Sequence, residues 1–366
     1  MNISDLANPQ ILEQPVYVPG KPIEQVAAEH NLSPARVCKL ASNENPLGPS
    51  PLALDAARQA LEELRLYPEG GGQALCEAIA EKRGLRPGQI VLGNGSNEII
   101  ELLGHVFLRP GDEVVAGQFS FVVYKLVALL FGAKAVEVPM PKLHHDLDAL
   151  AEAVTDKTRL VFLPSPNNPT GTANSEEEIM RFAESLPPHV VFCLDEAYAE
   201  YLNEPPDLRP LIEAGRHVVC LRTFSKIYGL AGLRIGYGYA SEELTRLLHR
   251  ARQPFNANAV AQAAALAALR DEEHLQTCRT VNTAGLRQLE AGFAELGLEY
   301  IPSVANFVLV KVGEGERIFT EMQRRGVIAR PFGGGLAAYL RITAGTPGEN
   351  ENALAALKES LAAVYS

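Results

Sequence analysis

The residues best suited to do chemistry lie in one stretch, Thr223-Phe-Ser-Lys-Ile-Tyr-Gly-Leu-Ala-Gly-Leu-Arg234. Lys226 follows the apolar run Val218–Leu221 and precedes a second strand-like run, Ile235–Tyr239. It therefore lies just past the C-terminal end of a strand, where open α/β sheets build their sites. A lysine beside another cation, Arg234, in otherwise apolar sequence has its charged form disfavoured, and the neutral amine is the nucleophile of Schiff-base chemistry. Thr223, Ser225 and Arg234 are donors of the kind that hold a phosphate. A bare Ser-Lys pair reads as a surface lysine in a Gly-rich loop; it is the whole constellation that points further.

Three other stretches share this character. Ile90–Leu92 reads as a strand, and Gly93-Asn-Gly-Ser-Asn97 then opens a helical segment, Glu98–Phe107. Small residues before a helix N-terminus expose free N–H groups and suit a phosphate, although they also serve as a simple cap. A dinucleotide fingerprint is excluded, because the third glycine is missing and Glu98 stands nearby. The run Val190–Leu194 ends on Asp195, followed by Tyr198. A carboxylate at the end of an apolar strand is costly without a partner, and the plainer role for it is a helix cap. Leu160–Leu163 leads into Pro164-Ser-Pro-Asn-Asn-Pro-Thr-Gly171, a proline-rich turn.

The chain has 366 residues and a formal charge of −11, which allows a large core and two domains. The acidic balance argues against general binding to nucleic acid or anionic membranes, while leaving room for a local basic pocket. No apolar run reaches membrane-spanning length, and the polar N-terminus lacks a signal-peptide core. The five cysteines are scattered, Cys193 and Cys220 lie inside apolar runs as reduced core residues, and no metal-type pairing exists. His144-His145 has no ligand-spaced partner and reads as a loop pair, so no metal is expected. A cytoplasmic enzyme fits this composition.

The lysine stretch closely resembles the corresponding motif of fold-type I, pyridoxal-phosphate-dependent aminotransferases, and is most similar to the histidinol-phosphate aminotransferase branch. The likeness covers nearly the whole chain; the Asn167-Asn-Pro-Thr-Gly171 string and Asp195 with Tyr198 are among its strongest parts. The resemblance implies that Lys226 holds pyridoxal 5′-phosphate as a Schiff base and moves protons on the substrate. It implies that Asp195 pairs with the pyridine nitrogen, and that Asn168 and Tyr198 bond the phenolic oxygen. Gly95, Ser96, Asn97, Thr223, Ser225 and Arg234 would bind the cofactor phosphate. One aromatic ring at a helix start would stack on the pyridine; counting back from Gly132 favours Phe121 over Phe119. Tyr67 would cross to the cofactor phosphate of a second subunit, making the enzyme a homodimer. Tyr17, Asn45, Arg330 and Arg341 would meet the substrate, the two arginines clamping its anionic end. The loop Gly333–Gly335 departs from the Tyr-containing sequence usual in that branch.

The implied fold is α/β, of fold type I. A mostly parallel, seven-stranded sheet forms a large domain, and a small α+β domain joins it. Residues 1–45 read as an N-terminal arm and part of the small domain, 46–254 as the large cofactor-binding domain and 255–366 as the small C-terminal domain. The implied reaction is transfer of the amino group of histidinol phosphate to 2-oxoglutarate, giving imidazole-acetol phosphate and glutamate in histidine biosynthesis. An aromatic amino-acid aminotransferase, a threonine-phosphate decarboxylase and a non-catalytic binding protein on the same fold are the other readings.

Overall fold

The computed structural model describes residues 1–16 and 20–366. Its strands, in chain order, are β1 (Cys38–Lys39), β2 (Ile90–Gly93), β3 (Glu113–Gly117), β4 (Lys134–Val138), β5 (Thr158–Pro164), β6 (Val191–Asp195), β7 (Val218–Thr223), β8 (Gly236–Ala240), β9 (Tyr300–Ile301), β10 (Phe307–Lys311), β11 (Val327–Ile328), β12 (Arg330–Pro331) and β13 (Tyr339–Thr343). The chain divides into two compact units. The larger holds residues 1–16, 49–168 and 173–272; the smaller holds 20–48, 169–172 and 273–366.

The larger unit is built on a seven-stranded sheet of order β2-β8-β7-β6-β5-β3-β4. Only β8 runs against its neighbours; the rest are parallel. The sequence explains this. β2, β6 and β7 are buried from end to end, as strands covered by helices on both faces must be. The core gathers Ile99 and Leu103 from helix Ser96–Phe107, Val127 from helix Val123–Leu130, and Leu160, Phe162, Val191 and Val219 from the sheet. Helix Glu176–Ser185 starts at Ser175 in a capping box: the Ser175 hydroxyl accepts from Glu178 N–H, and the Glu178 carboxylate accepts from Ser175 N–H at 2.8 Å.

The smaller unit carries a four-stranded antiparallel sheet, β12-β13-β10-β9, beside a two-residue parallel pair, β1 with β11. Its core is formed by Val308, Val310, Leu340 and Ile342 with Leu289, Phe293 and Leu357 from two helices.

The units divide the chain differently from the expected bounds of 1–45, 46–254 and 255–366, and residues 169–172 lie in the smaller one. The break falls at Glu272, because helix Ala259–Arg270 belongs to the larger unit. Its buried residues are mostly alanines (Ala261, Ala264, Ala265, Ala268), and their small size lets the helix pack closely on helices Pro51–Leu61 and Gln73–Arg83. Residues 1–16 also join the larger unit, where Gln14 donates to the Leu126 carbonyl. Among the described residues no helix is long and apolar enough to cross a membrane, and no cluster of side chains could hold a metal ion.

Candidate active site

Because β2, β3, β5, β6 and β7 point the same way, the loops after them meet at one edge of the sheet. One cavity of the larger unit collects a residue or more from each: Ser96 and Asn97 after β2, Phe121 after β3, Asn168 after β5, Asp195 and Tyr198 on and after β6, and Thr223, Ser225 and Lys226 on and after β7. Arg234 joins them from the turn before β8.

One side of the cavity is an anion cradle. Helix Ser96–Phe107 begins at Gly95, which has φ of 78° and provides no side-chain cap, so the first-turn N–H groups face the cavity end of the helix. Arg234 adopts a left-handed backbone (φ 58°, ψ 66°) and donates to the Ser225 hydroxyl at 3.3 Å and to the Ala231 carbonyl at 3.1 Å. Its guanidinium lies so near Gly95 that a Cβ there would come within 2.4 Å of Nη2. The hydroxyl of Thr223 accepts from Ser225 N–H at 3.1 Å, holding the turn that presents both hydroxyls. Helix N–H groups, two hydroxyls and one planar cation are the donor set that suits a phosphate dianion.

The same cavity carries a buried acid. Asp195, 5% exposed, accepts a 2.7 Å hydrogen bond from Tyr124 on Oδ2 and a 3.1 Å bond from Ala197 N–H on Oδ1. Burial pushes its carboxyl up to about 6, against the pull of these two donors. A carboxylate so placed calls for a cationic partner inside the cavity. Lys226 Nζ stands 5.7 Å from the centre of the Tyr198 ring. Phosphate donors, a buried acid, a lysine and an aromatic ring, Phe121, gathered on one cavity together fit a phosphorylated pyridine aldehyde.

A buried network of charges sits next to the site, where Arg222 of β7 meets Glu196 and Glu200 from the segment just after β6. Alternate residues of a strand point to opposite faces. Asp195 and Thr223 line the cavity, while their neighbours Glu196 and Arg222 are buried together beside it. Arg222, 2% exposed, binds Glu196 with two donors (3.1 and 2.8 Å) and Glu200 with a third (2.9 Å). Arg83 also reaches Glu200 at 2.9 Å, and the Tyr239 hydroxyl donates to Glu196 at 2.7 Å. Two arginines thus neutralise two glutamates and leave Asp195 out of the exchange.

The remaining expected residues lie elsewhere. Gly95 forms the cradle without lining the cavity wall. Phe119 lies off the cavity; its carbonyl accepts from Asn167 Nδ2 at 2.9 Å. Tyr67 is 82% exposed and stacks on Phe255 at 4.8 Å, away from this cavity. Asn45, in the smaller unit, donates to Cys278 Sγ at 3.1 Å and accepts from Leu47 N–H. Arg330 and Arg341 face one another across β12 and β13. Arg341 is buried, donates to the Ala41 carbonyl, and holds its guanidinium 5.3 Å from the Phe307 ring. Tyr17 lies outside the described residues.

Sequence reading missed Tyr124, Glu196, Glu200, Arg222 and Gly236. A charged residue inside the apolar run Val218–Thr223 was a visible signal for Arg222. Gly236 gave none: a Cβ there would meet Ser96 N at 2.6 Å, so this glycine lets the cradle loop lie flat on β8.

The chain belongs to the aminotransferase class I and II family, whose model matches residues 35–357. It is a pyridoxal-phosphate-dependent transaminase of fold type I. The histidinol-phosphate aminotransferase of Akkermansia muciniphila is 49% identical over 363 residues, covering 99% of this chain and 100% of that one. That of Moorella thermoacetica is 46% identical, covering 96% and 92%. Among solved structures, the histidinol-phosphate aminotransferase of Sinorhizobium meliloti in complex with pyridoxal-5′-phosphate has a TM-score of 0.91 at 29% identity, over 98% of both chains.

Proposed function

We propose that this transaminase moves the amino group of histidinol phosphate to 2-oxoglutarate, as a cytoplasmic enzyme of histidine biosynthesis. The observation that carries the substrate class is the juxtaposition of Arg330 and Arg341 on one sheet face, two planar cations suited to an oxyanion. The names of the relatives, at 44 to 49% identity, support the particular substrate.

In this reading Ser96, Asn97, Thr223, Ser225 and Arg234, with the backbone at Gly95, hold the cofactor phosphate. Asp195 would keep the pyridine nitrogen protonated, Asn168 and Tyr198 would bond the phenolic oxygen, and Phe121 would stack on the ring. When bound, the cofactor supplies an electron sink for the negative charge left at the substrate carbon. Lys226 Nζ takes the proton from that carbon and holds it for return, as base and then as acid. Arg330 and Arg341, with Asn45 and Tyr17, position the substrate. The functional assembly is a homodimer, in which exposed Tyr67 reaches the partner's cofactor phosphate.

Mixing loaded enzyme with histidinol phosphate, and separately with phenylalanine, tests this reading through the first half-reaction, followed by absorbance. Faster amino transfer from histidinol phosphate is the expected result. Faster transfer from phenylalanine assigns the enzyme to aromatic substrates. Release of carbon dioxide from threonine phosphate would mark a decarboxylase.

A further inference from the structure

The Tyr124 hydroxyl donates to Asp195 Oδ2 at 2.7 Å. Its ring is fixed on two sides. It stacks on Phe162 of β5 with centroids 4.6 Å apart and planes within 5°, and it meets the edge of Phe121 at 5.9 Å and 85°. It is 2% exposed. Tyr124 sits one turn after Phe121, so a single short segment supplies both the ring on the cavity wall and the donor to the acid. We propose that Tyr124 is a positioning residue for the cofactor: its hydroxyl orients Asp195 and keeps it ionised, ready for a protonated pyridine nitrogen.

The surroundings agree with that role. The Asp195 carboxyl is faced by Tyr124 from helix Val123–Leu130, by Ala197 N–H and Glu196 from its own segment, and by Lys226 from the loop after β7. Tyr124 is faced in turn by Cys193 and Tyr198, and β5 offers the apolar Phe162. Burial and Glu196 push the Asp195 carboxyl up; Tyr124, Ala197 N–H and Lys226 hold it down, Tyr124 being the foremost of these. The phenol itself is pushed well above its ordinary value by burial, so it stays a donor at all working pH. Removing it leaves burial less opposed and raises the pH below which Asp195 is neutral.

The proposal rests on the assignment of Asp195 to the ring nitrogen, and the experiment separates the two. Equilibrium affinity for pyridoxal phosphate is measured on cofactor-free enzyme from pH 5 to 8 by fluorescence titration. Tyr124→Phe keeps both ring contacts and should move the acid-side loss of affinity upward by about one pH unit or more, a hydrogen bond to a charged group being worth that much. Replacing Tyr124 with 3-fluorotyrosine, a stronger donor, should move it downward. Opposite displacements cannot come from lost packing. Equal weakening at every pH in the Phe variant, or no downward displacement with fluorotyrosine, overturns the role of Tyr124. Asp195→Asn should abolish the Asp195 part of the acid limb; if it leaves the limb unchanged, the assignment of Asp195 fails first.

Discussion

Arg330 on β12 stands directly across from Arg341 on β13, so two guanidinium groups share one face of a four-stranded sheet. Like charges at directly opposite positions destabilise a sheet, and a bound oxyanion reverses the sign. Arg341→Ala should therefore raise KM for histidinol phosphate about 10- to 100-fold, the loss of charged hydrogen bonds. Thermal melts sharpen the test: inorganic phosphate should stabilise the native enzyme more than the variant. Unchanged KM for every anionic substrate would remove Arg341 from the substrate site.

Lys226→Ala should abolish both multiple turnover and covalent attachment of the cofactor, while the cradle of Ser225 and Arg234 still retains the cofactor without a covalent bond. Mass spectrometry after borohydride reduction reads the attachment, and dialysis reads the retention. Sustained transamination by this variant would sink the assigned mechanism.

The cofactor-free enzyme has a pH signature. The Asp195 carboxyl, ordinarily near 3.8, is held up to about 6 in the fold. A raised acid stabilises the fold fully below its unfolded value and loses that contribution as pH rises through the folded value. Asp195→Asn removes the penalty, so it should raise the melting temperature of cofactor-free protein more at pH 7.5 than at pH 4. The difference corresponds to at most roughly 3 kcal/mol. The same variant should lose most of its turnover. Equal effects on melting at both pH values would show that Asp195 titrates normally.

Arg222→Met leaves Glu196 and Glu200 buried with part of their charge uncompensated. Breaking one side of a buried pair costs about 3–5 kcal/mol. Urea denaturation should show that loss, accompanied by weaker cofactor binding because Glu196 and Arg222 adjoin Asp195 and Thr223 in the chain. A variant of native stability would mean that the network is not needed to hold the strand ends.

Gly236→Ala should weaken cofactor binding without removing any donor. Its Cβ would press on Ser96 N at 2.6 Å and on the Gly95 backbone at 2.9 Å, displacing the start of helix Ser96–Phe107. Isothermal titration with pyridoxal phosphate checks this, and unaltered affinity would show that the loop shifts freely.

The larger unit was legible because buried parallel strands leave uninterrupted apolar runs, each followed by small or polar residues. Val190–Asp195 and Val218–Ser225 announce both a strand and a site. What stayed hidden depends on contacts between distant segments. Nothing local says that Tyr124 reaches Asp195 across 71 positions, or that Arg222 is shared between Glu196 and Glu200. The limits of the compact units also depend on distant contacts. Pro254 interrupts the helices, but packing on helix Pro51–Leu61, a long-range fact, decides where helix Ala259–Arg270 belongs.

The position of β8 has a consequence for biosynthesis on the ribosome. This strand comes after the other six strands of its sheet, yet it lies between β2 and β7 and, among the described residues, alone joins β2 to the rest of the sheet. Until Gly236–Ala240 has emerged, β2 lacks its partner strand, and the turn at Gly95 and Ser96 lacks the backing that Gly236 gives it. A nascent chain stalled before that point lacks a completed phosphate cradle, even with Lys226 already made. Completion of the phosphate cradle is thus a late step, reached only after both Arg234 and Gly236 have been made.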